Sequence, residues 1–252
     1  MPETTVTPGE VLSRLASLAR VHLLDSVAST NDYALGLAPK HERAIVIARS
    51  QTKGRGRFRR AWVSDDDSLT ASVLVFADEP GFPAPEYVPP LAGLAVALAV
   101  ERVTGLKPQI RWPNDIVYKD KKLAGLLCET RRSAIAVGLG LNVNQQAFPD
   151  DLPEAGSLFG AIGHRWERFE LLEAFVQELD KALKQAGAGD TAPLLAAIKE
   201  RSSVLHRRVE IATLLRKHVG TVVDLDAEGR IVLRTDSGRL VVIGVGQARR
   251  LT

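Results

Sequence analysis

Apolar residues recur along this chain with two periods, which divide it into helices and strands. Spacings of three and four residues predict a short amphipathic helix over 8–19 and a long one over 169–187. The run 90–105 is almost wholly apolar and closes on Gly105, which predicts a buried helix with a glycine at its C-terminal end. Runs rich in β-branched residues predict strands over 21–27, 44–51, 68–76 and 134–144.

Two further regions complete the pattern. The segment 108–131 reads as two strands joined by a polar turn at 119–122. After about residue 203, short alternating runs are separated by the turn sequences AEGR (227–230) and DSGR (236–239), which predict a small antiparallel β domain. We therefore expect a main domain over 1–203 and a second domain over 204–252.

Composition narrows the class of protein. With 252 residues and 45% hydrophobic content the chain can bury a large core, and a net charge of +3 does not by itself argue for nucleic acid. The longest uncharged apolar run, 89–100, is shorter than the roughly 20 residues of a membrane helix, and the start lacks a signal-peptide pattern. We expect neither export nor membrane anchoring, and hence a cytoplasmic protein.

The metal-ligating residue types are sparse. The single cysteine, Cys128, lies in the apolar run LAGLLCE and is expected to be a small buried hydrophobic residue. The five histidines show no spacing that would assemble a site with Cys or carboxylates. We therefore expect no metal to be held tightly by the protein alone, and any metal to arrive with a nucleotide.

The sequence KGRGRFRR at 53–60 contains five cations and two glycines directly after a predicted strand. Glycines let backbone N–H groups approach a ligand, and arginines neutralise phosphate or carboxylate, so the segment is typical of an anion-binding loop. A solvated basic loop or a nucleic-acid patch is the alternative. No GxxxxGK[ST] sequence is present, and Arg59 replaces the third glycine of a dinucleotide fingerprint.

Three other motifs have both a structural and a functional interpretation. RWPND at 111–115 is either a turn that ends a strand or a set of oxygen acceptors, and the proline predicts extended backbone at Trp112. STN at 29–31 is a normal helix N-cap. The glycines of GLGLN at 138–142 indicate either a bulge or the close approach of a ligand.

The order of these motifs is more specific than any one of them. STN at 29–31, QTKGRGRFRRAW at 51–62, RWPND at 111–115, KKLAGLLCE at 121–129 and GLGLNVN at 138–144 together resemble the biotin protein ligase family. The resemblance covers about 21–144, and the tail is similar to that family's C-terminal domain. It implies an α+β fold: a mixed β-sheet packed by helices, like the catalytic domain of class II aminoacyl-tRNA synthetases, with a small SH3-like β-barrel.

The resemblance also implies a set of site residues. Lys122, Arg57 and Arg55 would be catalytic. The implied biotin contacts are Ser29, Thr30, Asn31, Gln51, Gly54, Arg55, Gly56, Arg57, Lys122, Gly125, Gly138 and Gly140. The implied nucleotide contacts are Arg57, Arg60, Trp62, Asn114, Asp115 and Asn142. Two positions depart from the family pattern, because Arg59 stands where glycine is usual and Arg111 where lysine is common.

The implied reaction joins biotin to AMP at the expense of ATP and Mg²⁺, and then passes biotin to a lysine of a biotin carboxyl carrier protein. The loop 53–60 is expected to be mobile without ligand and to close over the adenylate. A lipoate or octanoyl ligase or transferase is the nearest alternative, and a nucleic-acid-binding regulator is a more distant one. Since only 28 residues precede Ser29, we expect the form without an N-terminal DNA-binding domain and no nucleic-acid partner. Whether the chain forms a homodimer stays open.

Overall fold

A computed structural model describes residues 7–56, 61–213 and 215–251, and a seven-stranded sheet is its central element. The strands are β1 Arg20–Val27, β2 Ala44–Gln51, β3 Ser68–Phe76, β4 Gln109–Arg111, β5 Asp115–Tyr118, β6 Lys121–Arg131 and β7 Ala134–Asn142. Their order is β1-β2-β3-β7-β6-β5-β4, with β1 and β2 parallel and the other neighbours antiparallel. The predicted mixed sheet is therefore confirmed.

Six α-helices accompany this sheet in the described part of the chain: α1 Pro8–Leu18, α2 Thr30–Leu37, α3 Val88–Thr104, α4 Leu158–Ile162, α5 Arg168–Gly187 and α6 Ala192–Glu200. Helix α3 ends at Gly105, whose φ of 73° few other residues tolerate, as its sequence predicts. Within the described residues, Pro85–Thr104 is the one stretch long and apolar enough to cross a membrane. It serves instead as a core helix, packed between the sheet and α5.

The two faces of the sheet differ in what covers them. Val137, Leu139 and Leu141 of β7 belong to the main hydrophobic core, which α3 and α5 complete. The alternate residues Ala134 and Ala136 belong to a smaller apolar cluster beneath α2. Because side chains alternate along a strand, Gly138 and Gly140 fall on the α2 face, just beyond that cluster.

The C-terminal residues form a separate five-stranded antiparallel sheet, as predicted. Its strands are β8 Arg208–Ala212, β9 Lys217–Leu225, β10 Ile231–Thr235, β11 Leu240–Ile243 and β12 Gln247–Arg250, in the order β11-β10-β9-β8-β12. Gly229 and Gly238 occupy the two predicted turns with φ of 73° and 81°. The domain boundary near residue 203 stays a prediction, and it falls in the connection between α6 and β8.

Direct contacts join the two domains beside the outer strands β4 and β5. The indole Nε1 of Trp112 donates to the carbonyl of Gly229 at 3.1 Å, and Lys199 Nζ lies 2.6 Å from a carboxylate oxygen of Asp224. Buried residues of the β domain are part of the same hydrophobic core as the main domain. The β domain is thereby fixed against the edge of the central sheet.

Some sequence predictions were incomplete. The segment 108–131 forms three strands, not two, because the chain reverses at Trp112–Pro113, a cis peptide bond, and Arg111 pairs with Asp115. Helices α4 and α6 were not predicted, since each is short and buries only one or two residues. Cys128 is half-buried, not buried, because it lines a cavity between the domains.

Candidate active site

Three glycines on neighbouring strands leave a depression on the α2 face of the sheet. Gly125 of β6 pairs with Gly140 of β7, and Gly138 lies two residues earlier. A Cβ atom at Gly140 would overlap the indole of Trp62, and one at Gly138 would lie 2.5 Å from Asn31 Oδ1. Side chains therefore rest directly on the backbone here. We call Gly125, Gly138 and Gly140 the glycine floor.

Asn31 is held over the glycine floor with its amide fully hydrogen-bonded. Its Nδ2 donates to the carbonyl of Leu127 at 2.9 Å and to a carboxylate oxygen of Glu129 at 2.8 Å. Its Oδ1 accepts from Ser72 Oγ at 2.6 Å. These contacts fix which way the amide points, so Asn31 presents a defined pattern of polar atoms.

Thr30 and Gln51 are part of the same network. Gln51 Oε1 accepts from the backbone N–H of Thr30 at 2.7 Å and from its hydroxyl at 3.1 Å. Ser29 is the N-cap of α2 and accepts from the N–H of Asp32 at 3.3 Å, so the structural interpretation of STN is confirmed. The cap places Thr30 and Asn31 in the first turn, facing the sheet. Their predicted contact with biotin stays a prediction.

Arg55 anchors the start of the basic loop. Its guanidinium donates to both carboxylate oxygens of Asp32, at 2.8 and 2.6 Å, and also to Glu129 at 3.0 Å. The hydrogen bond to Asp32 raises the pKa of Arg55, and the same bond lowers the pKa of Asp32. Arg55 is thus engaged with two carboxylates, and its predicted contact with substrate anions would require these pairs to open.

The loop closes on itself around Gly54. The backbone N–H of Trp62 donates to the carbonyl of Gly54 at 3.0 Å, and a Cβ at Gly54 would lie 2.6 Å from the carbonyl oxygen of Trp62. Glycine is therefore needed at this close approach. Gly56 is half-buried. The predicted ligands Arg57 and Arg60 lie outside the described residues, as does the second half of the loop expected to be mobile.

Lys122 lies beside the glycine floor, where Asp115 and Arg111 position it. Its Nζ is 2.6 Å from Asp115 Oδ1 and 5.9 Å from the centre of the Trp62 ring. Arg111 lies 3.2 Å from the other oxygen of Asp115, so one carboxylate holds two cations. Lys122 is thereby kept next to the indole, with its side chain partly exposed.

Two buried polar atoms next to the glycine floor have no hydrogen-bond partner: Trp62 Nε1 and Thr70 Oγ1. Thr70 pairs with Gly140 across β3 and β7, so its side chain lies on the same face as the indole. A buried polar group without a partner costs about 1–3 kcal/mol, which a ligand could recover. The sequence indicated Trp62, but not Thr70.

The remaining predicted nucleotide contacts donate to backbone carbonyls. Asn114 Nδ2 donates to Leu126 at 2.5 Å, and Asn142 Nδ2 donates to Gly156 at 2.9 Å. Among the described residues no group of three His, Cys, Asp or Glu side chains could hold a metal ion. Cavities of about 300 and 340 Å³ lie between the two domains, and neither is lined by the glycine floor, which the indole of Trp62 covers.

Four residues of the site were missed by sequence reasoning: Asp32, Thr70, Ser72 and Glu129. A signal for two of them was present, because Ser68, Thr70 and Ser72 place hydroxyls at every second position of a strand that is otherwise apolar. Such a stripe in a buried strand indicates a polar environment on one face.

Known proteins share this arrangement of elements. Residues 23–145 match the model of the biotin/lipoate A/B protein ligase family. A biotin–[acetyl-CoA-carboxylase] ligase of Paracoccus denitrificans is 30% identical over 87% of this chain and 96% of its own length. One from Mycobacterium tuberculosis is 32% identical, over 82% of this chain and 79% of its own length.

A solved structure agrees with these relatives. The biotin protein ligase of Aquifex aeolicus, in complex with biotin and ATP, superposes with a TM-score of 0.82 at 28% identity, over 92% of this chain and 99% of its own. The resemblance drawn from the five motifs is therefore confirmed over nearly the whole chain. The chain belongs to the biotin protein ligase family.

Proposed function

We propose that this chain activates biotin with ATP to give biotinyl-5′-AMP and transfers biotin to a lysine of a biotin carboxyl carrier protein. The observation that carries the proposal is Lys122 beside a glycine floor whose neighbours, Trp62 and Thr70, each have an unpaired buried polar atom. The Aquifex relative bound to biotin and ATP supports the same chemistry. Because the reaction consumes ATP, we expect it in the cytoplasm.

The shape of the site suits a compact bicyclic ligand. A ring that lies against backbone needs glycine below it, and the floor provides this over two strands. Asn31, Thr30 and Gln51 hold oriented polar groups beside the floor, and a cyclic urea would take over some of the hydrogen bonds that they now make within the protein. In this structure the indole of Trp62 rests on the floor, so biotin would have to displace it. The orphaned atoms of Trp62 and Thr70 would then gain partners.

The first step brings two anions together. A carboxylate oxygen of biotin attacks the α-phosphorus of ATP, the new P–O bond forms, and pyrophosphate leaves. We assign to Lys122 the task of offsetting the repulsion and the charge that grows in the transition state, which its ion pair with Asp115 supports by holding its Nζ beside the floor. ATP would enter as its magnesium complex, whose metal ion stabilises the pyrophosphate leaving group. We assign Arg57 and Arg60 to the phosphates.

The second step releases AMP. A neutral lysine amine of the carrier attacks the acyl carbon of the mixed anhydride, the C–O bond to AMP breaks, and the amine loses its proton. Between the two steps the anhydride must be shielded from water. Arg55 and Ala61 pair at the base of a loop and Trp62 lies on the floor, and we assign the loop to this shielding.

The decisive test is to detect the intermediate. The protein is incubated with biotin and MgATP, and the mixture is examined for biotinyl-5′-AMP by mass spectrometry; an apo carrier protein is then added and its mass followed. We expect the adenylate without carrier and one biotin added with it. The same assay with lipoate serves as the comparison. Adenylation of lipoate in preference to biotin would assign the chain to the lipoate branch of the matched family.

A further inference from the structure

We propose that Trp112 is a positioning residue through which the C-terminal domain holds Lys122 in place; this inference rests on the proposed function. Trp112 directly precedes the turn 113–115, which carries Asp115, the carboxylate partner of Lys122. Its indole reaches the other domain, where Nε1 donates to the carbonyl oxygen of Gly229 at 3.1 Å. The indole thus links the C-terminal domain to the turn that orients the lysine.

The hydrogen bond, more than the bulk of the ring, is the specific contribution of Trp112. The residue is 7% exposed, and its ring belongs to the main hydrophobic core. A phenylalanine ring would fill most of the same space, but it has no N–H to donate. Because a buried N–H without an acceptor costs free energy, the indole stays where the carbonyl of Gly229 accepts it.

The turn that contains Gly229 is fixed by its own hydrogen bonds. The carboxylate of Asp226 accepts from the backbone N–H of Glu228 at 3.1 Å and of Arg230 at 2.9 Å. The N–H of Gly229 donates to the carbonyl of Asp226 at 2.9 Å. A Cβ atom at Gly229 would lie 3.1 Å from Pro90, at the start of α3. The acceptor carbonyl is therefore presented at a defined place against the main domain.

On its other side, the turn after Trp112 is fixed by the central sheet. Asn114 Nδ2 donates to the carbonyl of Leu126 at 2.5 Å, and the N–H of Leu126 donates to the carbonyl of Asn114 at 3.0 Å. Asp115 follows, with its Oδ1 2.6 Å from Lys122 Nζ. Only two residues separate Trp112 from Asp115, so a displacement of the indole reaches the carboxylate and, through it, the lysine.

Loss of this bond should lower the rate of adenylation more than the affinity for biotin. Lys122 has to lie where charge grows in the transition state, and a misplacement of about 1 Å can slow a reaction by about a hundredfold. The glycine floor consists of backbone of β6 and β7, to which Trp112 does not belong. A positioning role therefore predicts a lower kcat with an unchanged KM for biotin.

The test removes the N–H and keeps an aromatic ring. In Trp112→Phe we expect the kcat for biotinyl-5′-AMP formation from biotin and MgATP to fall about tenfold, with the KM for biotin unchanged. Trp166→Phe is the matched control, because Nε1 of Trp166 has no hydrogen-bond partner among the described residues. Its kcat should equal that of the wild type. Pyrophosphate release gives the rate, and mass spectrometry identifies the adenylate.

Further variants separate positioning from packing. Asp115→Asn alone should slow adenylation, and Trp112→Phe should add no further loss in that background, because the indole acts through Asp115. Asp226→Ala loosens the turn of the C-terminal domain without a change in the main domain, and it should lower kcat as Trp112→Phe does. Asp236→Ala should not, because that carboxylate pairs with Arg208 at the other turn of the C-terminal domain.

Each outcome decides a different question. A wild-type kcat in Trp112→Phe, or an equal loss in Trp166→Phe, would overturn the inference. Multiplied losses in the double variant with Asp115→Asn would also overturn it, since the indole would then act independently of the carboxylate. If Trp112→Phe melts early, Asp226→Ala gives the same readout with an intact core, and an unchanged kcat there overturns the inference. Absence of adenylate from the wild type would instead overturn the proposed function.

Discussion

The two faces of β7 differ: one packs into the hydrophobic core, and the other is the face that we propose binds biotin. On one face, Val137, Leu139 and Leu141 pack under α3 and α5 with at most 3% exposure and no polar atom. On the other, Gly138 and Gly140 carry no side chain, and the amide of Asn31 and the indole of Trp62 lie on them. Successive residues of β7 thus alternate between the hydrophobic core and the glycine floor.

On the face that carries the glycine floor, some buried polar atoms lack a hydrogen-bond partner, in contrast to the core face of β7. Thr70 and Trp62 each bury a polar atom without a partner, whereas the side chains of Val137, Leu139 and Leu141 contain no polar atom. The core face is closely packed, so loss of volume there costs stability directly. Substitutions on the two faces should therefore separate activity from folding.

The largest expected effect is on catalysis, at Lys122. Lys122→Ala should slow adenylate formation by about a thousandfold, equivalent to about 4 kcal/mol of transition-state stabilisation. Folding should survive, because Asp115 keeps its second cation, Arg111, at 3.2 Å. Pyrophosphate release and thermal melting measure the two properties. Lys107→Ala, at a lysine whose side chain is 79% exposed, is the control, and full activity of Lys122→Ala would remove that residue from the site.

The next effect is on stability, at the core face. Leu139→Ala should lower the free energy of unfolding by about 3 kcal/mol, because it leaves a cavity under the helices. Well below its melting temperature, the variant should keep its KM for biotin. Urea unfolding and steady-state kinetics test this pair of expectations. A large change in KM with unaltered stability would mean that the two faces are not separate.

One residue further along, Gly140→Ala should give the reverse result. The new methyl would overlap the indole of Trp62, so the ring must leave the floor, and we expect affinity for biotin to fall about tenfold, or about 1.4 kcal/mol. The melting temperature should change little, since the indole can move outward. Gly36→Ala is the matched control, because a methyl there meets no atom within 4 Å. Equal effects of both variants on affinity would contradict the assignment.

Several strands and much of the glycine face of the sheet could be predicted from the sequence. Strands β2 and β3 begin and end at the predicted residues, because their apolar runs are continuous and bounded by polar turns. The glycine floor and Lys122 were named from motifs. The hairpin of β4 and β5 was missed, since three-residue pairing leaves too short a pattern to detect.

The contacts that orient the site could not be predicted in the same way. Glu129 meets Asn31 across 98 positions of sequence, and Asp32 meets Arg55 only once α2 and the loop are folded. The local spacing of apolar and polar residues carries no information on such long-range pairs. Sequence reasoning therefore named the residues around the glycine floor better than the residues that hold them in position.

The smallest expected effect concerns one of these supporting pairs. The hydrogen bond from Arg55 lowers the pKa of Asp32 below its ordinary 3.8, so the stabilisation is complete above pH 3.8 and is lost as the pH falls through the lowered value. Because the pair is half exposed, Asp32→Asn should cost only about 0.5 kcal/mol at neutral pH. Melting temperatures of variant and wild type should converge in acid. Asp66→Asn removes the exposed carboxylate partner of Arg49 outside the site, and its melting temperature should likewise converge with that of the wild type in acid. Only Asp32→Asn should also strengthen biotin binding, because Arg55 no longer has to leave Asp32 to meet the carboxylate of biotin; equal affinities in the two variants would show that this pair does not influence the site.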